Sequence, residues 1–459
     1  MPDAATTETF EVSTRRRYAI LAICCLSLFI ISLDNTIVNV ALPSLGRSLH
    51  SGTSGLQWVV DAYVLVLAGL VTAAGSMGDR FGHLLVFNIG LVVFTLGSLA
   101  CSLAPSLGAL IAFRVLQGIG GSMLNPNSLS LITSVFTDAK QRAFAYGVWG
   151  GTFGASAAAG PVLGGVLTDT IGWRSIFWVN IPIGIAALAL SRWLVPESKA
   201  DKPRRIDVPG QLLLIATLTS ATYAIIDGPR AGWSSGQTLA LFIVAAVLLA
   251  SFLAVEFRSR APVIDPHFFR SPPFSGAVAI AVFAFAVLAG FLFLNTLYLQ
   301  ESRGYGPLRA GLATLPMTAI VAITAPLAGR LVGRSGARIP LTGAGLMMTA
   351  GAAVLAFGGH HPSYALLAVG YALLGLGFGL VNPPITNTAI SGMPRSQSGT
   401  AAAIASSGRQ VGGVLGVALV GSIASAQAPH VGWLLLLGCG MAIAVVALVT
   451  TGGSRTAKS

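Results

Sequence analysis

Fourteen separate stretches of this 459-residue chain are apolar over the length that crosses a bilayer. A membrane helix needs about 20 such residues, because it rises about 1.5 Å per residue across about 30 Å of hydrocarbon. The stretches fall at approximately 18–42, 55–77, 84–104, 107–132, 143–168, 174–194, 209–227, 238–256, 274–299, 309–333, 340–358, 363–389, 398–424 and 431–452. Hydrophobic residues make up 54% of the chain and charged residues 9%, where a soluble domain carries roughly a quarter charged. The sequence predicts an all-α integral membrane protein.

The net charge of +12 does not signal nucleic acid, because of where it lies. With fourteen spans both termini share one side. Twenty of the 27 Lys and Arg residues fall on that side and five on the other, with Arg114 and Arg409 inside spans. This is the positive-inside bias, and it predicts a multi-pass protein of the cell (inner or plasma) membrane with both termini cytoplasmic. The first span follows Arg15–Arg17 but is too long for a cleaved signal and is expected to be retained. Cys24, Cys25, Cys101 and Cys439 all lie within spans, as packed free thiols rather than a disulfide framework. No metal-ligand spacing appears and no cofactor is expected.

Three segments repeat in order. Gly75-Ser-Met-Gly-Asp-Arg-Phe-Gly82 matches Gly329-Arg-Leu-Val-Gly-Arg-Ser-Gly336 at an offset of 254. Gly118 to Pro126 matches Gly375 to Pro383 at 257, and Gly160 to Gly164 matches Gly412 to Gly416 at 252. They pair spans 2, 4 and 5 with spans 10, 12 and 13. The expected organisation is a six-helix bundle over 1–194, a cytoplasmic linker with two additional spans over 195–260, and a second six-helix bundle with a short tail over 261–459. Parallel halves of this kind place a substrate site between them near the midplane. The charged segment 195–208 reads as the linker, either a plain solvated loop or one with a specific role.

Of fifteen acidic residues, only Asp34 and Asp61 lie well inside apolar stretches. An acid at membrane depth costs a few kcal/mol, so it faces a cavity or a partner and has a job. Removal from water also favours the protonated carboxyl, so such a site can load a proton. At helical rise Asp34 lies about 25 Å beyond Arg17, while Asp61 and Arg114 each lie about 10 Å below the far surface. All three buried charges of the first half therefore share the outer half of the membrane, a layout that suits an acid–guanidinium pair. Protonation would release the arginine and deprotonation recapture it, giving a two-state element that a proton biases. A static structural ion pair is the alternative.

Gly75, Gly78 and Gly82 flank Asp79 and Arg80 on the turn between spans 2 and 3. The glycines permit a tight turn, and Asp79 is placed to accept hydrogen bonds at a helix N-terminus. This reads as a gating latch, weaker in the second half, where Gly333 replaces the acid. Span 5 is glycine-rich around Gly160 and Pro161, which suits either close packing or gating. Arg409, with Gln410 beside it, is the buried charge of the second half; it would bind a substrate carboxylate or pair with backbone carbonyls. The Gly118-Ile-Gly120-Gly121 run has no preceding strand and is not a nucleotide loop.

Leu33-Asp34-Asn35-Thr36-Ile-Val-Asn39-Val-Ala-Leu-Pro43 resembles the first-helix motif of the fourteen-helix drug:proton antiporters of the major facilitator superfamily. The Gly75–Gly82 turn resembles that superfamily's helix 2–3 signature, and Arg114-Val-Leu-Gln117-Gly118 its helix 4 proton-transfer motif. Gly147 through Gly165 resembles the antiporter motif of helix 5, and Trp173 to Gly184 is similar to a segment of the same branch. The resemblance covers nearly the whole chain. It implies export of amphipathic, often cationic, compounds against inward proton flow. It would give Asp34 and Asp61 roles in coupling or cation recognition, Arg114 a role in proton relay, and Asp79 and Arg80 a role in gating. The chain departs from the pattern at His83-Leu84, where a basic pair is usual, and at Ser156, where a glycine is usual. Spans 9–14 hold no buried acid, which argues against divalent cations as substrates.

The expected function is thus a proton-coupled exporter of drugs, antibiotics or other small amphiphiles, working by alternating access. Asp34, Asp61 and Arg409 are its candidate substrate contacts. The partners are a small molecule, protons and the lipid bilayer, with no nucleic acid and a monomer sufficing. A narrow metabolite or ion exporter, or a non-transporting membrane sensor, would use the same scaffold. No nucleophile–base or metal constellation suggests an enzyme.

Overall fold

Hydrocarbon offers no hydrogen bonds to a backbone, so each crossing segment must satisfy its own amides. In the computed structural model the described residues, 13–200, 207–259, 262–359, 362–391, 393, 398–425 and 429–451, accordingly form helices and no strand. The first half runs α1 Thr14–Leu49, α2 Thr53–Phe81, α3 His83–Ser102, α4 Leu107–Val135, α5 Ala139–Thr170 and α6 Ser175–Leu194. Two further helices follow, α7 Val208–Ala231 and α8 Gly236–Arg258. The second half runs α9 Pro272–Ser302, α10 Pro307–Ser335, α11 Arg338–Phe357, α12 Tyr364–Ile390, α13 Ser398–Ser425 and α14 Pro429–Thr450. Among the described residues thirteen are apolar and long enough to cross a membrane; α5, 32 residues long, has the span but its glycines lower its hydropathy. Linker residues 201–206, with Lys202, Arg204 and Arg205, lie outside the described residues.

The pairing of helices repeats. In the first half α1 packs on α5, α2 on α4, and α3 on α4 and α6; in the second, α9 packs on α13, α10 on α12, and α11 on α12 and α14. The glycine repeat explains one of these pairs. A Cβ added at Gly160 or Gly164 would strike Thr36 Oγ1 at 2.0 Å or Ile37 O at 2.8 Å on α1. One at Gly412 or Gly416 would strike Val282 O at 2.2 Å or Ala286 O at 2.4 Å on α9. Small residues at these sites let helix backbones touch, which in lipid replaces the hydrophobic drive to associate. Helices α7 and α8 pack on each other, and α7 also leans on α2 and α13, one from each half.

The halves meet at the face opposite the chain termini. Gln57 of α2 donates to Val417 O (3.2 Å) and Ala418 O (2.8 Å) of α13. Gln300, in a wider π-type turn at the end of α9, donates to Val40 O of α1 at 2.7 Å. The backbones of α5 and α10 touch, since a Cβ on Gly311 would lie 2.1 Å from Pro161 O. Towards the termini Gly147, Gly150, Gly151 and Gly154 of α5, and Gly329 and Gly333 of α10, have nothing within 4 Å of an added Cβ.

Candidate functional site

Asp34 is fully buried at the meeting of five helices of the first half. Arg114 of α4 donates a terminal nitrogen to its Oδ2. Its Oδ1 accepts from Gln117 Nε2 at 2.7 Å and from Asn180 Nδ2 at 2.9 Å. Gln117 sits one turn after Arg114 and returns its Oε1 to the guanidinium at 2.7 Å. Ser98 of α3 accepts from the Gln117 amide at 2.8 Å. Arg114 donates its Nε to Val59 O of α2 at 3.0 Å, and its guanidinium lies 4.2 Å from the Tyr63 ring centroid. The carboxylate thus takes three donors and the cation is paired, bonded and stacked. These contacts offset much of the burial cost of the charges, although the buried Arg114 Nη2 has no hydrogen-bond partner among the described residues.

Asp61 is equally buried, at 0% exposure, yet neither carboxyl oxygen has a hydrogen-bond partner among the described residues. Helical geometry explains why it does not join Arg114. Val59 and Tyr63 mark the face of α2 turned to α4, and Asp61 is two residues from each, roughly 200° around the helix. It lies one turn beyond Gln57, which reaches α13, and beyond Trp58, which meets Tyr223 of α7 with centroids 5.8 Å apart. The three charges expected at one depth therefore resolve into a pair and a separate acid.

Between the halves lies a narrow cleft with about 40 Å³ of room for water-sized molecules in this conformation, less than a drug-sized ligand occupies. Its polar lining is Ser32, Asn35, Thr36 and Asn39 of α1 with Arg409 and Gln410 of α13; Phe153 and Phe285, also in the lining, pack against each other. Arg409 donates to Thr386 Oγ1, and its buried Nε has no partner. Of the three residues expected to contact substrate, Arg409 lines this cleft, whereas Asp34 and Asp61 are not among its lining residues.

At the turn between α2 and α3 the expected arrangement is altered in one respect. Asp79 does not cap α3; it lies 3.5 Å from His83 Nε2. The cap comes from the linker, where Glu197 accepts from Leu84 N (2.9 Å) and Leu85 N (3.1 Å). Gly82 adopts φ +114°, and a Cβ there would lie 2.6 Å from the Glu197 carboxyl carbon. Asp79, in the last turn of α2, sits before that glycine and meets the first residue of α3 instead of its free amides. His83, in the position where a second basic residue is usual, also meets Asn127 Oδ1 at 3.0 Å, tying α3 to α4. Arg80 lies with its guanidinium 5.6 Å from the Phe81 ring centroid. Gly75 packs towards Pro126 of α4, and Gly160 and Pro161 sit where α5 touches α1 and α10.

With this geometry in view, the comparison with known families is decisive. The Major Facilitator Superfamily model matches residues 24–417. The chain belongs to that superfamily. Its relatives within it include the multidrug resistance protein Stp of Mycobacterium tuberculosis (strain CDC 1551 / Oshkosh), 42% identical over 87% of this chain and 74% of Stp. The tetracenomycin C resistance and export protein of Streptomyces glaucescens is 33% identical over 90% of this chain and 77% of its own length. The drug efflux pump JefA of Mycobacterium tuberculosis is also 33% identical, over 90% and 82% respectively. A multi-pass membrane protein of this superfamily is a transporter by descent, and no catalytic family matches are among these relatives.

Several residues that build the sites carried no signal of charge. Asn180, Ser98 and Gln57 are neutral polar residues, and hydropathy weighs them lightly. Gln117 and Asn180 did stand inside the quoted motifs, one turn from Arg114 and seven residues beyond Trp173. Glu256, near the end of α8, is a further buried acid: it is 2% exposed, and its Oε2 accepts from Ile264 N at 2.8 Å.

Proposed function

We propose that this protein is a proton-coupled antiporter that exports small amphipathic compounds, drugs or antibiotics among them, from the cell by alternating access. The observation that carries the reading is the Asp34–Arg114 pair, wholly buried, with Gln117 of α4 and Asn180 of α6 donating to the acid and Val59 O of α2 accepting from the arginine. Relatives named for multidrug resistance, for tetracenomycin C export and for drug efflux support the same conclusion.

In this reading the bundles 1–194 and 261–459 rock about the central cleft, and segment 195–260 joins them. With the termini face taken as cytoplasmic, the conformation described is the one in which the Asp34–Arg114 pair is formed. Asp34 is then ionised and paired, as expected once a proton has left to the cytoplasm. A proton arriving from outside neutralises Asp34, frees Arg114 from its counter-charge, and changes the relative stability of the two conformations. Asp61, with no hydrogen-bond or salt-bridge partner among the described residues, provides a second candidate proton site. Asp79, Arg80 and the glycines of the α2–α3 turn hold the inner gate, and Gly160 and Pro161 let α5 move against α1 and α10. One inward proton brings about 2.3 kcal/mol per 100 mV, enough for a gradient of several tens-fold.

The test is dye efflux in inverted membrane vesicles with an imposed proton gradient. Collapse of the gradient is expected to stop transport by the wild type, and Asp34→Asn to uncouple it. Transport indifferent to both treatments would reject proton coupling.

A further inference from the structure

The central cleft has a cation and no acid. Arg409 is the one charged residue among those lining it, and no salt bridge to Arg409 occurs among the described residues. Its hydrogen-bond partner, Thr386 Oγ1, is neutral, and its Nε is buried and unpartnered. The two buried acids of the first half do not compensate it. Asp34 is saturated by Arg114, Gln117 and Asn180, and Asp61 lies on the α2 face between Gln57 and Trp58. A guanidinium left without a counter-charge in a low-dielectric cleft is costly, and its planar fork suits a carboxylate or similar oxyanion.

The cleft is narrow here, so an amphiphile enters only as the halves part, but its lining has matching chemistry around that point. Asn39 lines it with its Oδ1 unpartnered, and Gln410 neighbours Arg409 on α13. Phe153 of α5 and Phe285 of α9, with ring centroids 6.3 Å apart, supply an aromatic wall from each half. A cationic amphiphile entering here would lose water, find no acid and meet a like charge. An anionic one would gain a charge-assisted hydrogen bond while its apolar body contacts the rings.

We propose that the cleft selects anionic amphiphiles, molecules with an aromatic body and a carboxylate or acidic enol, with Arg409 receiving the negative group. This rests on reading the cleft as the substrate site of an exporter, and it narrows the resemblance, which implied compounds that are often cationic. Arg409 acts as a specificity residue: it sets which charge is admitted and takes no part in moving the proton.

The experiment uses full-length protein in lipid nanodiscs and two xanthene dyes of similar shape and opposite charge, fluorescein and rhodamine 6G. Binding is read by fluorescence anisotropy at mildly alkaline pH, where fluorescein is a dianion. The wild type is expected to bind fluorescein about tenfold or more tighter than rhodamine 6G, a ratio typical of one charge-assisted contact. Arg409→Gln is expected to weaken fluorescein by about tenfold and to leave or improve rhodamine 6G, while Arg409→Lys keeps most of the preference. Equal binding of the two dyes, tighter rhodamine 6G, no fluorescein binding, or fluorescein binding that survives Arg409→Gln would each overturn the proposal. If Arg409→Gln does not fold, the wild-type preference and Arg409→Lys decide it. No gradient is applied, so the charge preference stands or falls separately from proton coupling, which the vesicle assay decides.

Discussion

Asp34 and Asp61 are both carboxyl groups at 0% exposure in the same helical bundle, and their surroundings are opposite. Asp34 has an arginine and two amides; Asp61 has no partner among the described residues. Burial alone therefore does not say what an acid in a membrane does. The donors around it decide whether charge is retained there, and Asp34 sits where losing or regaining a charge changes contacts among α1, α2, α3, α4 and α6. Asp61 sits at the junction of α2 with α7 and α13, where the inserted pair of helices meets both halves.

The contrast can be broken by substitution. The largest effect is expected from Arg114→Leu, which strands the Asp34 charge; thermal or denaturant unfolding in detergent should show a loss of about 3–5 kcal/mol. Adding Asp34→Asn to it should recover a large part, because the uncompensated charge is gone, and the double-mutant cycle measures their coupling. Recovery of nothing would mean that Arg114 acts through Val59 and Tyr63 alone. Asn180→Leu removes one donor from Asp34 and leaves Ser98 short of a partner, so a loss of about 1–3 kcal/mol is expected in the same assay. Asp61→Leu should have the smallest effect on stability, within about 1 kcal/mol of the wild type or more stable, because no partner is abandoned and an unpartnered polar group is removed. A large loss at Asp61 instead would show that it holds a bond in the membrane that the described residues do not supply.

The fold was largely legible in the sequence. Hydropathy located all fourteen long helices, because a chain crossing hydrocarbon has no other way to satisfy its backbone; the glycine offsets matched spans 2, 4 and 5 to spans 10, 12 and 13, but only packing showed the α5 and α13 glycines against α1 and α9. The site was legible only along one coordinate. Chain direction gave depth, and depth brought Asp34 and Arg114 together correctly. Depth does not give the angle around a helix, so Asp61 was grouped with them although Val59 and Tyr63 hold the face turned to Arg114. The α3 cap shows a related limit. Asp79 was near in sequence, but the chain turns at Gly82 and brings Glu197 from 115 residues further on in the chain to the same amides. Neutral amides such as Asn180 leave no mark in a charge pattern, and only packing reveals them.

The most direct measurement compares two modes of transport in proteoliposomes bearing the Asp34→Asn variant: accumulation driven by a proton gradient, and exchange of labelled for unlabelled substrate with no gradient. If Asp34 is the site where a proton biases the two conformations, accumulation is lost and exchange persists. Accumulation at the wild-type level in that variant would contradict the account.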